Sequence, residues 1–198
     1  MKKNITLSQL FPFQGSEPSQ SFRFGIAEGQ KKALSPDTEH PALAKARLFQ
    51  GIGPKERQEM LRCLSPIEKR YEKGEYVFRN GQQVSAVGLV LEGGVHIQKE
   101  DYWGNRSILG HVATGEVFAE TYALCAGPML VDAVAAEASS VEFLRLPALL
   151  VPANAEKSWY GKLQANLIAI LASKNLALSG RMFCTGAKTI RGRVLTYL

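Results

Sequence analysis

Between residues 70 and 146 the chain repeats one pattern, a run of three to six residues rich in Val, Ile, Phe and Tyr closed off by a glycine. The runs are 76–78, 87–91, 95–99, 106–111, 131–136 and 141–146, and the glycines stand at 74, 81, 93, 94, 104, 115 and 127. Turn signals at this density leave no room for long helices and mark an antiparallel sandwich or barrel. The clearest hairpin is VHIQKEDYWGNRSILGHV. There Trp103, Gly104 and Asn105 sit between two alternating strands, with Gly104 supplying the positive φ of a tight turn. Eight such strands make a jelly roll.

The flanks change period. From 54 to 64, Pro54 at a first helical position, Glu56, and Met60, Leu61 and Leu64 at helical spacing predict a short amphipathic helix capping the sheets. Beyond the roll, Pro147 and Pro152 close the sheet zone, and Asn154 is placed to cap a helix running to about Phe183. Its apolar residues, among them Trp159, Leu163, Leu167, Ile168, Ile170, Leu176, Leu178 and Met182, cover more than one contact stripe. Such a helix has two things to touch: the roll, and most simply its own copy in a dimer. Thr189 caps a further helix, IRGRVLTYL, with Val194, Leu195 and Leu198 as its apolar face.

Residues 1–40 are rich in Ser, Gln, Gly and Pro but carry Phe11, Phe13, Phe22 and Phe24, which suits a docking arm better than a free tail. The charge is uneven: residues 48–144 hold 9 Lys/Arg against 13 Asp/Glu, and residues 145–198 hold 8 against 1. A basic end approaches polyanions, or is simply a solvated helix face. No run nears the roughly 18 apolar residues that cross a bilayer, and Ser8, Gln9, Pro12 and Gln14 interrupt any signal-peptide core, so a cytoplasmic protein without a membrane partner is expected. Cys63, Cys125 and Cys184 are too few and too far apart for a disulfide framework or metal knuckle.

The order of capping helix, roll with the motif GEVFAETYAL, long helix and TIRGRVLTYL resembles the Crp/Fnr family of bacterial transcription regulators. The resemblance covers about residues 46–198. It implies a mainly β fold, the double-stranded jelly roll of the cyclic-nucleotide-binding type, followed by a long dimerisation helix. The implied organisation is an N-terminal arm 1–45, sensor domain 46–152, dimerisation helix 153–185, and, over 186–198, the first helix of a truncated winged helix-turn-helix. In the family that module reads DNA in the major groove. Direct DNA binding is therefore expected only through a C-terminal module missing from this chain.

In nucleotide-binding relatives a Phe-Gly-Glu element offers backbone N–H groups, its Glu holds the ribose hydroxyls, and an Arg-Ser/Thr-Ala element holds the phosphate. Here the matching positions are Phe118, Ala119 and Glu120, followed by Thr121, and then Val131, Asp132 and Ala133. The phosphate anchor is missing, so cyclic AMP and cyclic GMP are not the expected effectors and the effector is an unknown small molecule. Glu120 is either a pocket residue for that effector or a carboxylate capping a short helix. Asp132 is either a solvated strand residue or an amine binder. Asn175 and Ser179 fall where relatives present polar groups across the dimer seam, or they fix helix register.

Other chemistry is thin. A cupin-type metalloenzyme needs His-x-His with further ligands, whereas His40, His96 and His111 stand alone in sequence. An iron-sulfur sensor needs four cysteines. Cys125 is a redox-sensing thiol or, in the plainer reading, a buried inert one, and haem binding through His96 or His111 stays open. No phosphate-binding Walker loop or nucleophile elbow occurs. The expectation is a non-enzymatic sensor with no cofactor, with a genuine cyclic-nucleotide module and a cupin-like enzyme as alternatives.

Overall fold

The computed structural model describes residues 32–33, 40–64, 66–146 and 154–186. The arm expected over 1–40 and the helix IRGRVLTYL therefore lie outside the described residues, apart from a two-residue strand at 32–33.

Nine strands form two antiparallel sheets among the described residues. They are β1 (Lys32–Ala33), β2 (Ile67–Tyr71), β3 (Tyr76–Phe78), β4 (Val87–Glu92), β5 (Gly94–Glu100), β6 (Arg106–Ala113), β7 (Val117–Phe118), β8 (Asp132–Ala135) and β9 (Ser139–Leu144). One sheet has the order β1-β2-β9-β4-β7 and the other β3-β8-β5-β6. The expected jelly roll is the observed fold. The hairpin β5–β6 turns where the sequence places it: Gly104 has φ 83°, and the Asp101 carboxylate holds the turn by accepting from the N–H groups of Trp103 and Asn105, both at 2.9 Å.

The first sheet has a core on each face. Between the sheets, Val90, Val141, Phe143 and Phe118 meet Phe78, Val95, Val112 and Ala133. On its other face, Val87, Leu89, Leu91 and Leu144 pack against the helices. That is why β9 is buried at every position, its polar Ser140 and Glu142 included.

The helical layer comprises α1 (Pro41–Lys45), a 3-10 turn (Arg47–Phe49), α2 (Pro54–Leu64), α3 (Glu120–Cys125) and α4 (Tyr160–Gly186). Helix α2 occupies the span its periodicity predicts, with Met60 and Leu64 fully buried against the sheet. Glu56 accepts from the N–H of Gly53 at 2.8 Å, and reaches Ser158 Oγ at 2.6 Å and Lys162 Nζ at 2.9 Å, tying α2 to the start of α4. These three donors hold its carboxyl well down, at about 2.

Helix α4 starts at Tyr160, six residues after the expected cap at Asn154. The correction has a local cause: carbonyls of Asn154 and Lys157 accept from Lys157 and Tyr160 three residues on, so two tight turns precede the helix. Burying Trp159 completely then sets the axis along which Leu163, Leu167 and Ile170 follow it into the core. Asn166 Nδ2 donates to the carbonyls of Leu48 and Gln50 at 3.0 and 2.8 Å, fixing α4 to the 3-10 turn.

Candidate functional site

The segment from Val117 to Ala133 is built around one aromatic ring. Phe118 ends β7 and is buried against Phe78, the ring centroids 5.9 Å apart at 62°. The far end of its ring also lies against Gly88 of β4, where a Cβ would come within 2.4 Å of it. A glycine in the middle of a strand here makes space for the ring.

Ala119 follows in the left-handed region, φ 62° and ψ 12°. This is where the family's glycine would stand, and the conformation persists although alanine carries a Cβ that disfavours it by about 1–2 kcal/mol. The turn aims α3 so that Glu120 opens the helix from a buried position, its side chain 5% exposed. Helix α3 ends with a second left-handed alanine, Ala126, φ 50°.

Glu120 Oε1 lies 2.7 Å from Lys174 Nζ, and the same ammonium donates to the carbonyl of Val117 at 2.6 Å. One lysine of α4 therefore binds both the entry strand and the first residue of α3. Lys174 lies one turn beyond Ile170 on the face of α4 that enters the core. It is the site residue that motif reasoning missed. A cation four residues past the last buried apolar position of an amphipathic helix was the available signal, because such a charge needs a partner in the layer it faces.

Val131 is half-buried and packs against the inter-sheet core. Asp132 is buried, and its Oδ1 accepts from the N–H of Asn80 at 2.7 Å. The reading of Asp132 as a solvated strand residue is therefore corrected: β8 is covered on both faces and the carboxylate satisfies a backbone donor of the 79–82 turn. Ala133 is fully buried, while Thr121 is exposed. A cleft of about 180 Å³ opens beside the Lys174–Glu120 pair, lined by Arg47, Glu116, Val117, Ile170, Ser173 and Lys174.

Asn175 and Ser179 are on the opposite side of α4 from Lys174's core face. At about 100° per residue, Ile168, Ala172, Asn175, Ser179 and Met182 fall within roughly 40° of one line. Their spacing is 4-3-4-3. Ile168 and Met182 are exposed on this line, with Leu176 beside it. The structure thus gathers Phe118, Ala119 and Glu120 with Lys174, holds Val131 and Asp132 on β8 and the turn before it, and places Asn175 and Ser179 on a separate exposed stripe.

Two further expectations can be compared with the geometry. His96 and His111 are not isolated: they are register partners across β5 and β6. The reading of Cys125 as a buried thiol is corrected: it ends α3 on the side away from the buried Glu120 and Ala123 and is exposed. Among the described residues no helix is long and apolar enough to cross a membrane.

Residues 68–150 match the family model described as a cyclic nucleotide-binding domain. Among solved structures, the catabolite activator protein of Thermus thermophilus is 26% identical with a TM-score of 0.57, covering 70% of this chain and 64% of its own. This chain thus spans less than two thirds of that protein. A cyclic nucleotide-binding domain from Methylobacillus flagellatus has a TM-score of 0.63 at 15% identity, covering 76% of this chain and 84% of its own. The sensor domain of the transcriptional regulator DNR from Pseudomonas aeruginosa has a TM-score of 0.51 at 23% identity, covering 75% and 93%. Among curated proteins none matches the chain in sequence. The likeness to Crp/Fnr-type regulators, stated above on motifs, holds in fold and in these neighbours.

Proposed function

We propose that the chain is the effector-sensing and dimer-forming part of a Crp/Fnr-type transcription regulator, cytoplasmic and non-enzymatic, whose segment from Val117 to Ala133, the cassette, answers to a ligand other than cyclic AMP or cyclic GMP. The observation that carries this reading is the Lys174–Glu120 pair. The carboxylate that relatives offer to ribose hydroxyls is buried and already engaged by the long helix. Val131 at the position of the phosphate-holding Arg removes a charge-assisted hydrogen bond of about 1.5–3 kcal/mol, and Asp132 beside it repels an anion. Together these weaken nucleotide binding by about two orders of magnitude.

The same pair supplies a route for signalling. An effector that engages Glu120 must share or displace Lys174, and Lys174 is what ties the distal half of α4 to the cassette. The ligand then acts through its different affinity for the latched and released states. The stripe Ile168, Ala172, Asn175, Ser179, Met182 has the spacing of a coiled-coil seam, three small or polar residues between two larger ones, and Asn175 within it fixes register. The reading places DNA recognition in a module C-terminal to α4 and assigns none to residues 40–186.

The test is a thermal-shift titration with cyclic AMP, cyclic GMP, and panels of small organic acids and aromatics, since a ligand at 100 times its Kd stabilises by about 2.7 kcal/mol. The expected result is no shift with either nucleotide and a shift with another compound that Glu120→Gln abolishes. Stabilisation by a micromolar cyclic nucleotide refutes the reading in favour of a true nucleotide-responsive module, the alternative that the family match of residues 68–150 supports.

A further inference from the structure

We propose that His96 and His111 form a two-imidazole binding site for a divalent transition-metal cation of the zinc, nickel or copper class on the outer face of the second sheet. The two residues are direct partners in the β5–β6 register. Val95 and Ile97 pack into the inter-sheet core, so His96 between them projects to the opposite face; His111, beside the core residue Val112, does the same. His96 is half-buried and His111 exposed, which leaves the pair open to a solvated ion.

The ring centroids are 5.3 Å apart, with planes inclined at 65°. Two imidazoles that ligate one zinc through nitrogens at ~2.1 Å, with a tetrahedral angle between them, have centroids roughly 5 Å apart. The resting separation is therefore the separation the ion requires, and only rotation about the side-chain torsions is needed to aim the nitrogens. Cross-strand pairing in mid-hairpin fixes the two Cβ atoms, so little conformational freedom is lost on binding.

Gly94 completes the arrangement. A Cβ at that position would lie 2.4 Å from His111 Cε1 and 3.0 Å from its Nε2, so the His111 ring rests directly on the Gly94 backbone. Imidazole nitrogens suit zinc, copper and nickel and disfavour magnesium or calcium, which defines the ligand class. No group of three or more His, Cys, Asp or Glu side chains able to hold a metal occurs among the described residues. Water, or a ligand from a bound molecule, would fill the other coordination positions.

The experiment is isothermal titration of the tag-free chain at pH 7.5 with zinc and with nickel chloride, comparing wild type with His96→Asn, His111→Asn and the double variant, and with His40→Asn as control. We expect one ion per chain, a weakening of about tenfold or more in each single variant, and no change in His40→Asn. Magnesium at equal concentration should not compete. Imidazole resonances of His96 and His111 followed by NMR in the wild-type chain keep the test decisive if a variant folds poorly: both should move with zinc while those of His40 stay. Binding that survives the double variant, or no binding by wild type up to about 1 mM, overturns the proposal.

Discussion

Replacing Lys174 with Met tests whether the long helix and the cassette are coupled. At 2.7 Å the unlike charges attract by several kcal/mol at an effective dielectric constant of about 20. Burying Glu120 offsets much of that, and the 43% exposure of Lys174 lets solvent screen more, so the net value of the pair is about 1–2 kcal/mol. The substitution also takes the donor from the Val117 carbonyl, about 1 kcal/mol more. Lys174→Met should therefore cost about 2–3 kcal/mol, equivalent to roughly 4–10 °C in Tm for a chain of this length. Glu120→Gln keeps the shape and an acceptor for the ammonium and should cost about 1 kcal/mol. The double variant should lose about 1–2 kcal/mol less than the two single variants added together, because neither charge is left stranded. Urea unfolding at fixed protein concentration reads this directly, through the fluorescence of Trp159, which is fully buried at the start of α4. Additivity within about 0.5 kcal/mol would refute the coupling, and with it the route from cassette to helix.

Four other perturbations have definite signs. Ala119→Gly relieves a left-handed alanine at the cost of a looser unfolded chain, and thermal unfolding should show a gain of about 0.5–1 kcal/mol; a loss would mean the Cβ makes a contact that outweighs the strain. Gly88→Ala drives a Cβ into the Phe118 ring and should destabilise by about 2–3 kcal/mol in urea. Glu56 has its folded pKa at about 2, below the ordinary 4.5, so its contribution is complete above 4.5 and is lost as pH falls from there towards 2; the urea midpoint of Glu56→Gln should vary less with pH across that window than that of wild type. Ser179→Glu puts like charges face to face across the proposed seam, and sedimentation at tens of micromolar should find monomer where wild type is dimer.

How far the sequence could be read depended on whether an element owes its form to near or distant neighbours. Residues 76–78 and 54–64 were legible because glycine, proline and apolar spacing are local signals, and both elements occupy the predicted spans. Strand β2, with the sequence IEKRY, escaped notice since its charges hide the period: Lys69 is buried although it is charged. Strand β7 is only two residues long and exists because β4 lies beside it. In the site, the Phe-Ala-Glu element and the absent Arg were visible as motif, but the partner of Glu120 lies 54 positions away and no local pattern names it. The histidine pair was hidden by a bulge: counting outwards from the turn through Glu100–Arg106 and Gln98–Ile108 sets 96 opposite 110, and the register shift between Ile97 and Gln98 brings His111 there instead. The later start of α4, at Tyr160 where a cap at Asn154 puts it at 155, was not legible either, since it follows from where Trp159 must sit.

Helix α4 is held unevenly along its length. Up to Ile170 it is anchored in the core; from Leu171 to Met182 no residue is buried, and its polar ties to the roll include those of Lys174 and the bond from Arg181 to the Leu109 carbonyl. Mechanically it is a cantilever, clamped at one end and bolted farther along its length. The stretch from Ile170 to Gly186 projects about 24 Å, so undoing the Lys174 bolt and letting the beam swing by about 10° would carry its tip roughly 4 Å. That displacement exceeds half a turn of helix. The stiffness of the beam, to which the proposed seam along its outer side would add, then decides how much of the swing reaches the tip.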